Sequence, residues 1–430
     1  MLNLILISKK AIKILILKLL ATLIVFIINI YIARTLSVEE FGEYSLIISV
    51  SNILVVYFIF GLDITVLRLV TLYKKANKNK VKGLYIFALT AITINFMIFG
   101  LLIYEYLKEN IKYELVALVH MIIFSYILAM IAVTAAFIQA LNQKHIVISQ
   151  ANQLARSAIL GLVLIYFLFI NQIEISISNL MVLNNISALF TLLIFTSILI
   201  RDVSWGGIVN ISSQINLKWI KESFLIFIIS VQGVVITQLP ILGIGYIQGS
   251  VSAAFFAVSM KITGLIVFGI SAINAVIAPQ IAKAYQDKKI HELESIIKRA
   301  STISFYYSIV TLVIILIGGE YLLGMFGKDY IDTKNIMIVL ALGHVLDSYF
   351  GSVGLVLTMT GKQKVLIKVG FLVLTISIIP SYMLIKSLDT IGAAISTAGI
   401  YLVWNLFSYL KIKKDFNINT LAVIDFRKIL

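Results

Sequence analysis

The sequence predicts an all-α polytopic membrane protein of about 12 transmembrane helices, arranged as two parallel-repeat lobes of six. Three observations lead there. Of the 430 residues, 60% are hydrophobic and only 13% are charged, whereas a soluble domain carries roughly a quarter charged residues. The apolar residues fall in runs of about 20, the length of a helix that crosses a ~30 Å bilayer core. Lysine and arginine crowd alternate turns between those runs, and such a bias marks the cytoplasmic side.

The amino-terminal stretch MLNLILISKKAIKILILKLLATLIVFIINIYIA is basic and then apolar. Its apolar part is too long for a signal peptide and lacks an A-x-A-like cleavage site, so it reads as a retained first helix, residues 12–33. The stretch Arg34 to Lys75 sets the unit that most of the chain repeats. A polar turn, Ser37-Val38-Glu39-Glu40, leads into an uncharged run from Tyr44 to Leu62, which ends in Asp63, Arg68 and a basic cluster from Lys74. Span two is therefore 44–66. The same pattern gives spans at 83–103, 115–140, 147–170, 178–200, 222–245, 252–281, 301–318, 335–360, 365–385 and 391–410.

One set of turns holds Lys9, Lys10 and Lys13, the cluster to Lys82, Lys144, Arg201, Lys218, Lys221, the run Lys283 to Arg299, Lys362, Lys364, Lys368 and the basic tail from Lys411. The opposite set holds only Arg34, Lys108, Lys112, Lys328, Lys334 and Lys386. An imbalance of about four to one places both termini in the cytoplasm. Residues 201–221 separate spans six and seven. The organisation expected is thus a lobe over 1–200, an inter-lobe cytoplasmic loop over 201–221, a lobe over 222–410 and a cytoplasmic tail over 411–430. A shift of 212 residues carries Gly42, Tyr44 and Ser45 onto Ala254, Phe256 and Ala257. Six spans per half keep both halves in one orientation, a parallel repeat about the membrane normal. Residues 283–299 are expected to form a surface helix with Leu293, Ile296 and Ile297 on one face.

Several chemistries lack their residues. No cysteine is present, which removes disulfides and thiolate sites. There is no P-loop pattern and no G-x-S-x-G turn. His120, His145, His291 and His344 have no metal-ligand spacing, so neither a metal nor another cofactor is expected. The net charge of +15 sits between apolar spans rather than on a soluble basic face, so nucleic acid is not the expected partner. A carrier with this sequence must use an ion gradient, the membrane potential or a downhill flux.

Charges inside the spans are the informative residues, since each costs at least ~2.5–3.5 kcal/mol on insertion scales. Lys261 lies about nine residues into span eight, about 13 Å at 1.5 Å per residue. Arg156 is similarly deep in span five, Lys18 is about two turns into span one, and Arg68 closes span two. Four cations in four helices are suited to an anionic ligand, and arginine's planar fork to phosphate. The competing reading is snorkelling to the headgroups. Snorkelling is the stronger reading for Lys18 and Arg68, and a cavity the stronger one for Lys261 and Arg156. Asp347 lies near the middle of span ten, with His344 on the same face. They read either as a proton-binding, ion-coupling pair or as a buried contact that locks helices. Asp63 could pair with Arg68, though a spacing of five is poor on a helix. Gly264, Gly269, Gly343, Gly351 and Gly354 would let helices approach closely, and Pro240 should kink span seven. Intramembrane amides, among them Asn29, Asn52, Gln139, Gln232, Gln238 and Asn274, read as lining an interior path or joining helices.

The turn Arg34-Thr-Leu-Ser-Val-Glu-Glu-Phe-Gly42-Glu-Tyr44 resembles the first outer turn of Wzx-type polysaccharide flippases. Gly61-Leu62-Asp63 with Arg68, Gln139-Ala-Leu-Asn-Gln-Lys144, Ile277-Ala-Pro279-Gln-Ile-Ala-Lys283, Phe326-Gly327-Lys-Asp-Tyr330 and Ile391-Gly392-Ala-Ala-Ile-Ser396 resemble later pieces of the same family, in the expected order. The resemblance implies the multidrug/oligosaccharidyl-lipid/polysaccharide exporter fold in a bacterial cytoplasmic (inner) membrane. It implies alternating access that carries an undecaprenyl-pyrophosphate-linked oligosaccharide to the outer leaflet for O-antigen or capsule assembly. Membrane lipids, a polysaccharide polymerase and chain-length proteins would be its partners. Lys18, Arg68, Arg156 and Lys261 would then bind pyrophosphate. Many relatives carry an acidic-basic pair near the outer end of span seven, where this chain has Gln238-Leu-Pro240. The rival readings are a drug or small-cation exporter of the same fold, a polysaccharide polymerase or ligase, and a non-transporting bundle. The first would need cavity carboxylates and the second a large outer loop.

Overall fold

The computed structural model describes residues 9–73, 78–110, 115–141, 146–169, 175–202 and 217–423. Lys144, His145, most of the loop 201–221 and the end of the tail lie outside them. Every regular element among the described residues is helical. Packing divides the chain into two units, residues 12–36 and 47–238 in the first, and chiefly 37–46 and 239–430 in the second.

The first unit draws on α1 (Lys9–Thr35), α2 (Val38–Ile59), α3 (Leu62–Tyr73), α4 (Lys78–Asn110), α5 (Leu115–Leu141), α6 (Ile146–Ser149), α7 (Asn152–Phe169), α8 (Ile177–Asp202) and the first part of α9 (Leu217–Gln248). Most of α5 is buried, and α3, α4 and α8 pack around it. By contrast α1 and α4 expose Ile27, Met97, Leu101 and Leu102, the outward apolar surface that suits a lipid solvent. Polar side chains join the helices where apolar packing alone gives no direction. Asn185 Nδ2 lies 3.0 Å from His120 Nδ1 and donates to the His120 carbonyl at 3.1 Å. Asn95 Nδ2 donates to the Phe58 carbonyl at 3.1 Å, and Ser223 Oγ to Thr65 Oγ1 at 3.0 Å.

The second unit contains α10 (Ser250–Gln286), α11 (Ile290–Gly324), a 3₁₀ turn (Lys328–Thr333), α12 (Lys334–Phe350), α13 (Val353–Met359) and α14 (Gln363–Phe416). At 1.5 Å per residue, 54 helical residues would run about 80 Å, far beyond a bilayer. The helix instead breaks at Asp389, whose φ is 52°. Beyond the break the chain turns back, so that Lys362 Nζ lies 3.4 Å from Asp415 Oδ2. α14 therefore supplies both spans expected at 365–385 and 391–410.

Nine helices among the described residues are long and apolar enough to cross a membrane, or ten with α12 and α13 as one broken span. Three expected spans are interrupted. Span two breaks at Phe60 and Gly61, both at positive φ. Span five divides into α6 and α7. Span ten bends by 42° between α12 and α13.

The expected surface helix over 283–299 is not formed as one piece. α10 runs on to Gln286, and α11 begins at Ile290. Leu293 and Ile297 do share a face, but it is buried against Ile281, Val356 and Ile412. The core thus takes that face, and residues 290–299 are the first part of span nine. Gly264 has open space rather than a close neighbour, so the close approach expected there is absent.

The sequence Ser37-Val38-Glu39-Glu40 forms a reciprocal cap at the start of α2. Glu40 Oε2 accepts from Ser37 N at 2.9 Å, and Ser37 Oγ accepts from Glu40 N at 3.2 Å, which satisfies two free helix-end donors. The turn places Phe41 edge-on to Tyr330, with ring centroids 6.1 Å apart. A Cβ on Gly42 would collide with the Ser250 carbonyl, so only glycine permits this approach of two backbones.

Candidate functional site

Two sets of charged side chains, one in each unit, are the candidates. In the first unit, Arg156 on α7 is half-buried, and its guanidinium carbon lies 5.6 Å from the centroid of Phe124 on α5. Arg68 on α3 is exposed. It pairs with Glu222 on α9, NH1 to Oε2 at 3.7 Å, rather than with Asp63, because a spacing of five turns those two side chains to different faces. Lys18 on α1 is exposed. The Arg68 end of the pair is exposed while Glu222 Oε2 is buried, so the guanidinium stays open to solvent at one end of the contact.

In the second unit Lys261 is half-buried on α10. Its Nζ lies 6.0 Å from the centroid of Phe41. No carboxylate among the described residues is within ion-pair distance of it. A ring face returns ~0.5–2 kcal/mol to a cation, less than the insertion cost of a mid-span lysine. The ammonium thus remains attractive to an anion.

Asp347 lies on α12 of the same unit. Asn405 Nδ2 of α14 donates to Asp347 Oδ1 at 2.6 Å and also to the Tyr401 carbonyl at 2.8 Å. His344 does not hydrogen-bond Asp347. Its ring packs beside Tyr401, with centroids 5.2 Å apart. Asp347 borders a cavity of about 170 Å³, whose polar lining includes Asn274, Ser304, Ser352 and Asn405. Ser352 Oγ donates to Asn274 Oδ1. Ser304 Oγ is buried and makes no hydrogen bond among the described residues, a position that a small polar guest or a water satisfies. The cavity exists because the chain breaks at Gly351, φ +76°, where a Cβ would meet Ser301 and Thr420. Carbonyls freed by the break are taken up by the segment after α14. Thr420 Oγ1 donates to the Phe350 carbonyl at 2.8 Å and Ala422 N to the Tyr349 carbonyl at 2.9 Å.

Asp347 and Lys261 are prominent in the sequence because each is a lone charge in an apolar run. The partners of Asp347 are not. Of them only Asn274 stands out, as an intramembrane amide; Ser304, Ser352 and Asn405 are common residues whose convergence depends on three helices and a break. Among the described residues no group of three or more His, Asp or Glu could hold a metal ion.

Comparison with known proteins bears on the family and on the fold. The family described as polysaccharide biosynthesis protein matches residues 7–285. The capsular polysaccharide biosynthesis protein CapF of Staphylococcus aureus is 28% identical over 190 residues, which is 42% of this chain and 47% of CapF. The match thus spans about half the length of that relative. The inward-facing conformation of a multidrug resistance MATE family transporter of the MOP superfamily superposes with a TM-score of 0.78 at 15% identity, covering 95% of this chain and 98% of the other. A MOP superfamily transporter from Pyrococcus furiosus, described as having a binding pocket of reverse polarity, gives a TM-score of 0.70 at 12% identity, covering 95% and 94%. The fold is that of MOP superfamily transporters.

Proposed function

The chain belongs to the polysaccharide biosynthesis protein family, and from that premise we propose that it is a flippase for undecaprenyl-pyrophosphate-linked oligosaccharides. It carries them from the inner to the outer leaflet of the cytoplasmic membrane for O-antigen or capsule assembly. The chain is a multi-pass membrane transporter, not an enzyme, and a lipid-linked saccharide is its cargo. Residues 1–200 and 222–410 act as two lobes that alternate access, joined by the loop 201–221, with both termini and the tail 411–430 in the cytoplasm.

Lys261 carries the reading. It is a cation within a span that no carboxylate of the described residues neutralises, and a pyrophosphate supplies the missing negative charge. Arg156 offers the two-pronged donor that phosphate oxygens accept. Arg68 and Lys18 are exposed in the first unit and serve as approach contacts. The polyprenyl tail stays in lipid, so binding needs no closed apolar pocket. A drug exporter would need an acidic counterpart to Lys261 to attract cationic drugs.

The test replaces the chromosomal gene by Lys261→Ala, Arg156→Ala and Lys261→Arg variants. With protein levels matched, the two alanine variants lose at least about tenfold of surface polysaccharide and accumulate the lipid-linked precursor inside, and the arginine variant keeps export. Normal surface polysaccharide in both alanine variants refutes the assignment.

A second element of the proposal is ion coupling at Asp347. The polar cavity beside this carboxylate, with the unpartnered Ser304 hydroxyl, favours exchange of a proton or small cation there. His344 packs at a tilt beside Tyr401 and is the second member of the proposed coupling pair.

A further inference from the structure

The two halves of α14 meet at the end where it starts and finishes, and a groove of about 540 Å³ opens between them. The first half contributes Lys364, Val365, Lys368 and Val369. The second contributes Phe407, Leu410, Lys411 and Lys414. Lys362 and Asp415 brace the groove. Asp415 accepts both Lys362 Nζ at 3.4 Å and Lys411 Nζ at 2.8 Å. Five lysines therefore share one carboxylate, and two of them already occupy it. Lys364, Lys368 and Lys414 form no ion pair among the described residues.

We propose that this groove binds the headgroup of an anionic glycerophospholipid, with an acyl chain lying over Val365, Val369, Phe407 and Leu410. Two features must be satisfied together. The lysines are a cluster of one sign, and like charges so close gain from a shared anion. The wall below them is apolar and continues into the outward-facing Leu406 and Leu410 of the span. A free phosphate would answer the lysines but leave the apolar wall in water. A zwitterionic lipid would cover the wall but leave the lysines unneutralised. Basic pockets between transmembrane helices at the cytoplasmic surface match anionic lipid on both counts. Topology alone asks only for positive charge near a span end. It does not ask for a concave site in which an aspartate holds two lysines in place. The inference stands apart from the transported cargo and is tested by binding.

The full chain is purified in mild detergent, offered phosphatidylglycerol or phosphatidylcholine, and its retained lipid is read by native mass spectrometry. Three variants accompany it: K364Q/K368Q/K414Q, the same positions changed to arginine, and K283Q/K288Q/K289Q, which removes equal charge from the α10–α11 turn. Wild type should retain phosphatidylglycerol over phosphatidylcholine. The groove glutamine variant should lose at least about tenfold of that retention, and the arginine and turn variants should keep it. Thermal unfolding in phosphatidylcholine checks that the variants are folded, and retention by the arginine variant provides the rescue. Equal loss in the turn variant overturns the proposal, as does equal retention of the two lipids. Displacement of phosphatidylglycerol by a polyprenyl pyrophosphate would instead make the groove a cargo site and overturn it as well.

Discussion

The ammonium of Lys261 rests on an aromatic face where a structural lysine would have a carboxylate, and this sets stability against function. Lys261→Met keeps the length and removes the charge. It should leave the melting temperature unchanged or raise it, because an intramembrane charge is removed, while export of polysaccharide falls. A melting temperature that drops together with export would make Lys261 a packing residue. Asp347→Asn keeps the shape and a hydrogen bond to Asn405, whose donor lies 2.6 Å away. Stability should change by less than about 1 kcal/mol, while transport should lose its response to an imposed proton or sodium gradient. Unchanged gradient dependence would reduce Asp347 to a helix contact. Both residues are visible in the sequence as lone charges in apolar runs. Their surroundings are not, since Phe41 is 220 positions from Lys261 and Asn405 is 58 from Asp347.

The start of α2 shows how one short element is fixed by sequence chemistry and then used in packing. The Ser37–Glu40 cap sets where the helix begins, Gly42 lets its backbone meet Ser250, and Phe41 meets Tyr330. The two partners lie in separate pieces that resemble one family, Phe41-Gly42 and Phe326-Gly327-Lys-Asp-Tyr330, and the fold brings them into contact. Gly42→Val should destabilise the protein by about 1–3 kcal/mol, the usual cost of overpacking, as read by thermal unfolding in detergent; an unchanged melting temperature would mean that the two backbones part freely. A double-mutant cycle of Phe41→Leu and Tyr330→Leu should give a coupling of about 0.5–1.5 kcal/mol, and additive effects would deny the ring contact. The breaks at Gly61 and Gly351, inside expected spans two and ten, leave no mark in the sequence comparable to that cap. Hydropathy reports apolarity, which stays constant across a break whose freed carbonyls find other donors, as Thr420 and Ala422 supply them here. Gly351 makes the close approach expected of it, to Ser301 and Thr420, and its positive φ also allows the bend.

At the scale of the whole molecule, run length and the side of each basic cluster were enough to predict an all-helical membrane chain, because a bilayer leaves few other ways to bury backbone polar groups. Spans expected separately at 365–385 and 391–410 appear as the two halves of α14, on either side of Asp389. The segment 283–299 went the other way. Its apolar face suited a membrane surface equally well, and only packing against Ile281, Val356 and Ile412 decides that it belongs to the core. Within the spans, Lys261 is a cation that no carboxylate of the described residues neutralises, a charge that favours anionic over cationic cargo. The cargo itself is tested most directly by reconstituting the full chain into proteoliposomes that contain a polyprenyl-pyrophosphate oligosaccharide in both leaflets. Sugar reachable by an impermeant glycan-modifying reagent is then followed in time. The account predicts that wild-type protein makes the inner pool reachable and that Lys261→Ala does not. Equal exposure with and without protein, or undiminished exposure with Lys261→Ala, would contradict it.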